Sequence, residues 1–195
     1  MATNSVATSL SSKTNKIFKT LTAVDLITVV VFAILFRILF LVYKLAEIVF
    51  PWNHPVWYFF AALTLIPALL ITRKVGATFL YTVAWLAFNF FFQGEIALWW
   101  IGALTIPIIP EIYLYYRSKQ SGTQAVFTNL KDLLIVGGLY TLLAYATNIV
   151  LILFALLNPM PRILVWPVGA LALVLGLLGA WAGYWLGKRI SGLIG

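Results

Sequence analysis

Long apolar stretches separated by short polar breaks run through the chain from residue 23 to residue 187. Each stretch is roughly 18 to 26 residues long, and about 20 apolar residues cross a bilayer as a helix. The breaks carry Pro, Gly, Asn and charged residues, which end helices or favour turns. The pattern predicts six membrane-spanning helices, at 23–44, 55–72, 75–92, 96–116, 132–157 and 163–187.

The composition excludes an ordinary soluble domain. Of the 195 residues, 63% are hydrophobic and only 9% are charged, whereas about 25% are charged in a typical soluble domain. Residues 1–12 are rich in Ser, Thr and Ala and hold too little apolar content to fold alone, and Lys13, Lys16 and Lys19 follow them. We therefore predict an all-α membrane protein with an N-terminal tail at 1–22 and a single six-helix bundle at 23–190.

The distribution of basic residues predicts how the bundle is oriented. Cytoplasmic segments of membrane proteins are enriched in Lys and Arg. If the N-terminus is cytoplasmic, only Lys44 and Arg162 lie on the outer side, and Arg37 lies within the first span. The other ten basic residues are cytoplasmic: Lys13, Lys16, Lys19, Arg73, Lys74, Arg117, Lys119, Lys131, Lys188 and Arg189. We predict a multi-pass protein of the cell membrane with both termini inside. Its cations orient the chain and contact anionic lipid rather than nucleic acid.

The chain lacks the groups that intramembrane catalysis requires. It has no Cys and one His, so neither a thiolate or histidine metal site nor a catalytic triad is expected. No H-E-x-x-H zinc motif, phosphate-binding loop or nucleophile elbow is present. We therefore predict no enzymatic activity, no metal and no cofactor. An enzyme acting on lipid needs a catalytic group that the sequence does not offer.

Polar and aromatic residues are predicted to converge in the outer halves of the spans. Asn89 and Gln93 share a face of the third span, and Tyr145 and Asn148 share a face of the fifth. Aromatic faces with a few amides are the usual lining for a small polar ring ligand. We therefore predict a substrate pocket open to the exterior. The candidate substrate-binding residues are Asn89, Gln93, Trp99, Trp100, Tyr145, Asn148, Trp166, Trp52 and His54.

These candidates also have simpler structural interpretations. The ordinary aromatic belt at the ends of spans is the favoured interpretation for the three candidate tryptophans of spans four and six. For Asn89 and Asn148, hydrogen bonding to a neighbouring helix, at about 0.6 kcal/mol, is as good an account as ligand binding. For His54, a loop position near the headgroups is favoured over a ligand contact.

Two charged residues lie inside predicted spans. An arginine at mid-span costs about 2.5–3.5 kcal/mol on insertion scales, so we expect Arg37 to extend toward the headgroups or, alternatively, to face a wet cavity. Glu111 follows Pro107 and Pro110, which are expected to kink the fourth span. We expect Glu111 either to pair with a basic residue inside the bundle or to face a partner.

Small residues form a stripe along the sixth span. Such a stripe allows another helix to approach closely. Packing within the chain is the favoured interpretation, and packing against another subunit is the alternative. The stripe consists of Gly169, Ala172, Gly176, Gly179, Gly183 and Gly187.

In several motifs the chain resembles the substrate-binding membrane subunit (S component) of an energy-coupling factor (ECF) importer. Within that family it is most similar to the thiamine-precursor, or hydroxymethylpyrimidine, branch. The likeness covers roughly residues 22–190. The motifs are Arg73-Lys74 followed by Gly76-Ala77, Glu111 six residues before Arg117, and a glycine-rich sixth span closing with Gly187-Lys188-Arg189.

The resemblance implies a division of labour. Such a subunit captures a vitamin or precursor from outside in a pocket formed by spans four to six, with the first outer loop, here 47–54, as a lid. Its partners are a membrane coupling subunit and two cytoplasmic ATPases, and it topples in the membrane to deliver the ligand. The chain departs from the family at Arg37, where a small residue is usual, and at Asn89 and Asn148, where acids are usual. A non-catalytic membrane scaffold or assembly subunit is the alternative function.

Overall fold

The computed structural model describes residues 21–47, 54–93, 99–153 and 165–194. Within these ranges the chain forms eight helices and no strand. They are α1 (Ala23–Glu47), α2 (His54–Thr72), α3 (Ala77–Gln93), α4 (Trp99–Thr105), α5 (Ile108–Ser121), α6 (Thr123–Thr128), α7 (Leu130–Leu153) and α8 (Val165–Ile194). The all-helical prediction is confirmed for this part of the chain.

The predicted fourth span is the one that forms two helices. Helix α4 ends at Thr105, and α5 begins at Ile108 with Pro107 as its N-cap. Proline has no N–H to donate to the preceding turn, and its ring clashes with the carbonyl four residues earlier. The kink expected at this position is therefore a complete break. The other five predicted spans correspond to single helices.

Among the described residues, three helices are long and apolar enough to cross a membrane, through Ala23–Tyr43, Leu130–Ile149 and Val165–Leu193. The apolar parts of α2 and α3, Val56–Thr72 and Ala77–Phe92, are shorter. At 1.5 Å per residue, each of these two is about 25 Å long. The described residues therefore have the character of a membrane protein, whereas the count of six spans and the side on which the termini lie stay predictions.

Helix α2 occupies the centre of the bundle. It contacts α1, α3, α7 and α8. Every side chain from Ala61 to Leu70 is buried except that of Leu63. Small side chains on this helix let its neighbours approach closely. The placement of α2 therefore decides where the residues at its start lie relative to the other helices.

The small-residue stripe of α8 packs against α2 and α7. A Cβ atom at Gly179 would lie 2.2 Å from the carbonyl oxygen of Phe59 on α2. A Cβ atom at Gly176 would lie 2.2 Å from Oγ1 of Thr141 on α7. Real Cβ atoms do not approach other atoms this closely, so only glycine fits at these contacts. This confirms packing within the chain, which was the favoured interpretation of the stripe.

The Glu111 carboxylate on α5 caps the start of α3. Its Oε2 accepts a hydrogen bond of 2.7 Å from the N–H of Gly76, and its Oε1 accepts from the N–H groups of Thr78 at 2.7 Å and Phe79 at 3.2 Å. Gly76 has a φ of 98°, in the left-handed region that favours glycine. The expected pairing of Glu111 with a basic residue is therefore wrong, because backbone N–H groups at the helix start are its donors.

Two aspartates link further elements at the same end of the bundle. Asp25, in the first turn of α1, forms an ion pair with Lys74 between α2 and α3. Asp132, in the first turn of α7, pairs with Nε of Arg117 at 2.9 Å and accepts a bond of 2.6 Å from the hydroxyl of Tyr113. The hydrogen bond to Asp132 raises the pKa of Arg117, so the guanidinium stays charged. In the first turns of α1 and α7 these carboxylates also offset the positive ends of the helix dipoles.

We predict that Glu111→Ala destabilises the protein by about 1–3 kcal/mol, because it leaves buried N–H groups at the start of α3 without an acceptor. Glu111→Gln keeps one carbonyl oxygen and should lose less. Denaturant unfolding in detergent measures both free energies. Ile112→Ala, at the exposed neighbouring position, is the control. Equal losses in Glu111→Ala and Ile112→Ala would contradict the capping role.

We also predict that Gly179→Ala destabilises the bundle by about 1–3 kcal/mol, because the added methyl overpacks the contact with α2. Gly192→Ala is the matched control, since an added Cβ there has no atom within 4 Å. The control should be neutral or slightly stabilising, as alanine favours helix over glycine. Thermal unfolding of the two variants side by side tests this, and a neutral Gly179→Ala would rule out the close contact.

Candidate ligand-binding site

Aromatic side chains of four helices form a connected interior group, which we call the aromatic cluster. The Trp57 ring lies edge-on to Phe36, with centroids 5.3 Å apart, and to Trp85, with centroids 6.2 Å apart. Edge-to-face contacts of this kind add to the energy of burial. The cluster consists of Phe36 of α1, Trp57 and Tyr58 of α2, Tyr81 and Trp85 of α3, and Tyr140 and Tyr145 of α7.

Polar atoms in the inner part of the cluster are paired within the protein. The hydroxyl of Tyr140 accepts a bond of 3.3 Å from Nε1 of Trp85 and lies 3.1 Å from Oγ1 of Thr82. The hydroxyls of Tyr81 and Thr64 form a bond of 2.6 Å. Buried polar groups without partners are costly in an apolar environment, so these bonds account for the polar atoms there. They fix α2, α3 and α7 relative to one another.

Two predicted site residues meet around Tyr58. Nδ2 of Asn148 donates a bond of 2.9 Å to the Tyr58 hydroxyl. The Tyr145 ring lies edge-on to Tyr58, with centroids 6.2 Å apart, and its hydroxyl donates to the carbonyl of Val165. The structure therefore brings Tyr145 and Asn148 together. Tyr58 was not predicted as a site residue, although its position just after the polar outer loop and Trp57 is a sequence signal that points to it.

Asn89, the candidate on α3, is buried without a complete set of partners. Only 3% of the residue is exposed, and its Oδ1 has no hydrogen-bond partner. It lies one helical turn beyond Trp85, at the edge of the aromatic cluster. Both structural and ligand-binding interpretations were open for this residue. The unpaired oxygen is an acceptor that a bound molecule can use.

Arg37 lies inside the bundle. The residue is only 3% exposed, and its Nε has no hydrogen-bond partner. Its Cζ lies 4.9 Å from the centroid of the Phe40 ring, a cation–π distance. The expectation that Arg37 extends to the headgroups is therefore wrong, because it lies on the face of α1 that packs against α2 and α3. The alternative, a wet cavity at Arg37, stays a prediction.

The remaining candidates lie apart from the cluster or outside the described side chains. Trp166 is 84% exposed near the start of α8, which fits the aromatic-belt interpretation. Trp52 lies outside the described residues. The other candidates lie at helix ends whose side chains are not described: His54 begins α2, Gln93 ends α3, and Trp99 and Trp100 begin α4. Among the described residues, no group of three or more His, Cys, Asp or Glu side chains is placed to hold a metal ion.

A groove on the outside of the bundle is separate from these residues. It lies between α7 and α8 and has a volume of about 620 Å³. Apart from Asn129 and Lys131 at one end, the side chains along it are apolar. None of the predicted substrate-binding residues lines it. Its character is that of a surface in contact with lipid rather than of a polar ligand pocket.

We predict that the hydrogen bond between Asn148 and Tyr58 couples α7 to α2 with an energy of about 0.6 kcal/mol and no more than about 1.7 kcal/mol. A double-mutant cycle of Tyr58→Phe and Asn148→Leu, followed by unfolding in detergent, measures the coupling. Tyr116→Phe, at an exposed position, is the control for loss of a hydroxyl. Strict additivity of the two variants would contradict the bond.

Comparison of this chain with family models, with curated proteins and with solved structures finds no match. The likeness to S components therefore rests on the motifs in the sequence. The contacts between its rings define the geometry of the cluster. The chemistry of its residues indicates what kind of molecule they can bind.

Proposed function

We propose that this chain is the substrate-binding membrane subunit of an ECF-type importer and captures a vitamin or vitamin precursor from outside the cell. By resemblance, a thiamine precursor is the first ligand to test. The subunit is a multi-pass protein of the cell membrane. It works with a membrane coupling subunit and two cytoplasmic ATPases, which supply the ATP hydrolysis that this chain has no motif to perform.

The observation that carries the proposal is the aromatic cluster with unpaired buried polar atoms beside it. Oδ1 of Asn89 and Nε of Arg37 have no hydrogen-bond partner. Buried polar atoms are nearly always paired in folded proteins, so unpaired ones call for an explanation. A pocket that binds a small ring molecule combines aromatic surface with a few orienting polar groups. A ligand seated against the cluster accounts for both features.

The proposed site differs in position from the pocket that the family resemblance implies. That pocket draws on spans four to six, whereas the cluster draws on spans one, two, three and five. The fifth span contributes to both, through Tyr145 of the cluster and through Asn148, which bonds to Tyr58. The implied lid, 47–54, ends at the first residue of α2, and Trp57 and Tyr58 lie in the first turns of that helix.

The competing proposal is a non-catalytic scaffold. It is motivated by the small-residue stripe as a surface for another subunit and by the few polar groups in the chain. The stripe packs against α2 and α7 of the same chain, through contacts such as Gly179 with Phe59 and Gly176 with Thr141. The surface that α8 exposes instead carries Trp181 and Trp185, which suit contact with lipid or with a coupling subunit.

We predict that the purified protein binds one member of a vitamin panel, including thiamine and hydroxymethylpyrimidine, with a Kd below about 1 μM, or about −8 kcal/mol. Binding should quench tryptophan fluorescence, because Trp57 and Trp85 belong to the cluster. Replacing either with Phe should reduce the quenching, whereas the exposed control Trp181→Phe should not.

Two results together would contradict the proposal. One is that no vitamin in the panel binds. The other is that no coupling subunit co-purifies with the chain from its native membrane. A chain that assembles stably with a membrane partner but binds no vitamin would instead support the scaffold alternative.

A further inference from the structure

Arg37 carries a charge in the bundle that the described side chains do not neutralise. Three carboxylates are described, and all are engaged at the opposite end of the bundle. Asp25 pairs with Lys74, Glu111 caps α3, and Asp132 pairs with Arg117. A buried cation without a counter-charge is destabilising, and an ionisable residue inside a membrane bundle commonly serves binding or transport. Arg37 therefore calls for an anion that the described part of the chain does not supply.

Asn89 lies near the level that the guanidinium of Arg37 reaches. The pair of Lys74 and Asp25 brings the starts of α1 and α3 together, so the two helices run in the same direction. The rings of Phe36 and Trp85, with centroids 6.0 Å apart, mark a contact between α1 and α3. One helical turn further along, Phe40 follows Phe36 and Asn89 follows Trp85, and Cζ of Arg37 lies 4.9 Å from the centroid of the Phe40 ring.

The two unpaired polar groups are complementary to one kind of molecule. The guanidinium of Arg37 has donors for an oxyanion. The Oδ1 atom of Asn89 accepts a hydrogen bond from an N–H or O–H group. Phe36 directly precedes Arg37 and Trp85 lies one turn before Asn89; their rings contact each other and the ring of Trp57, and such edges and faces suit a planar ring. A small aromatic acid with a hydrogen-bond donor satisfies all three.

We infer that Arg37 and Asn89 form an anion-binding subsite in the seam between α1 and α3, and that the ligand is a small aromatic carboxylate. The inference rests on the proposed function, since it names the class of molecule captured. A subsite of this kind binds acidic vitamins more tightly than cationic ones such as thiamine, because Arg37 repels the permanent positive charge of thiamine. It also assigns a role to the first span, which the family resemblance leaves out of the pocket.

Matched pairs of probes test the charge requirement. Benzoate and nicotinate each have a neutral amide, benzamide and nicotinamide, with the same ring. The full chain in nanodiscs of neutral phosphatidylcholine is titrated with all four by calorimetry. We expect each acid to bind at least about tenfold tighter than its amide, because charge-assisted hydrogen bonds to Arg are stronger than neutral ones. Arg37→Met should abolish this preference, whereas Arg189→Met, at an exposed position, should leave it unchanged.

Stability in the absence of ligand distinguishes a binding role from a structural one. Removing an unpaired buried charge should stabilise the empty protein, so we expect Arg37→Met to raise Tm by about 2 °C or more. Asn89→Leu should also raise Tm, and it should weaken binding of 4-aminobenzoate, whose amine can donate to Oδ1, more than binding of benzoate, which has no donor. A fall in Tm of similar size for Arg37→Met would show that Arg37 supports the fold, and would overturn the inference.

The remaining outcomes separate the inference from the proposed function. If neutral or cationic vitamins bind and Arg37→Met leaves their affinity unchanged, the anion subsite is wrong and the importer proposal stands. If no probe binds, the anion subsite is wrong; if, in addition, no vitamin binds and no coupling subunit co-purifies, the importer proposal is wrong too. If phosphatidylglycerol in the nanodisc displaces the acids and itself depends on Arg37, the anion is a lipid headgroup, which overturns the assignment of a soluble aromatic acid.

Discussion

The carboxylate of Glu111 holds the start of α3, and the geometry of the candidate site depends on where α3 begins. Its two oxygens accept bonds from Gly76, Thr78 and Phe79. These N–H groups have no acceptor within α3, and an apolar environment offers no water to replace one. One side chain from α5 thereby sets the position of α3, and so sets the level at which Trp85 and Asn89 lie.

Close packing of α8 on α2 provides the second constraint on the site. The backbone of α2 approaches α8 so closely at Gly179 that a Cβ atom would lie 2.2 Å from the Phe59 carbonyl oxygen. Phe59 directly follows Trp57 and Tyr58, the two members of the aromatic cluster on α2. The contact therefore positions these rings through the backbone of α2. Capping at one end and close packing near the other fix the helices between which the cluster forms.

Hydropathy predicted most of the helices, since apolar stretches of about 20 residues have few alternatives to a helix in a membrane. A kink at Pro107 was also predicted, because the loss of an N–H is a local effect, but the complete break into two helices was not. The environment of Arg37 could not be predicted, because the sequence shows the spacing of residues along α1 but not which neighbours surround each face of the helix. The pairing of Asn148 with Tyr58 was missed for the same reason. It joins residues 90 positions apart. The spacing of polar residues along one span does not show which other helix that span contacts.

The two ends of the bundle differ in how their charges are satisfied. At the end where α1, α3 and α7 begin, each described carboxylate has several partners, and these bonds tie one helix to the next. Toward the other end, Nε of Arg37 and Oδ1 of Asn89 are buried without a hydrogen-bond partner, as are Oγ1 of Thr78 and Oγ of Ser118 elsewhere in the described bundle. A protein selected for stability alone gains by replacing Arg37 and Asn89 with apolar residues. The proposed ligand gives a reason for these two residues beside the aromatic cluster, and the stability of the empty protein distinguishes that role from a role in the fold.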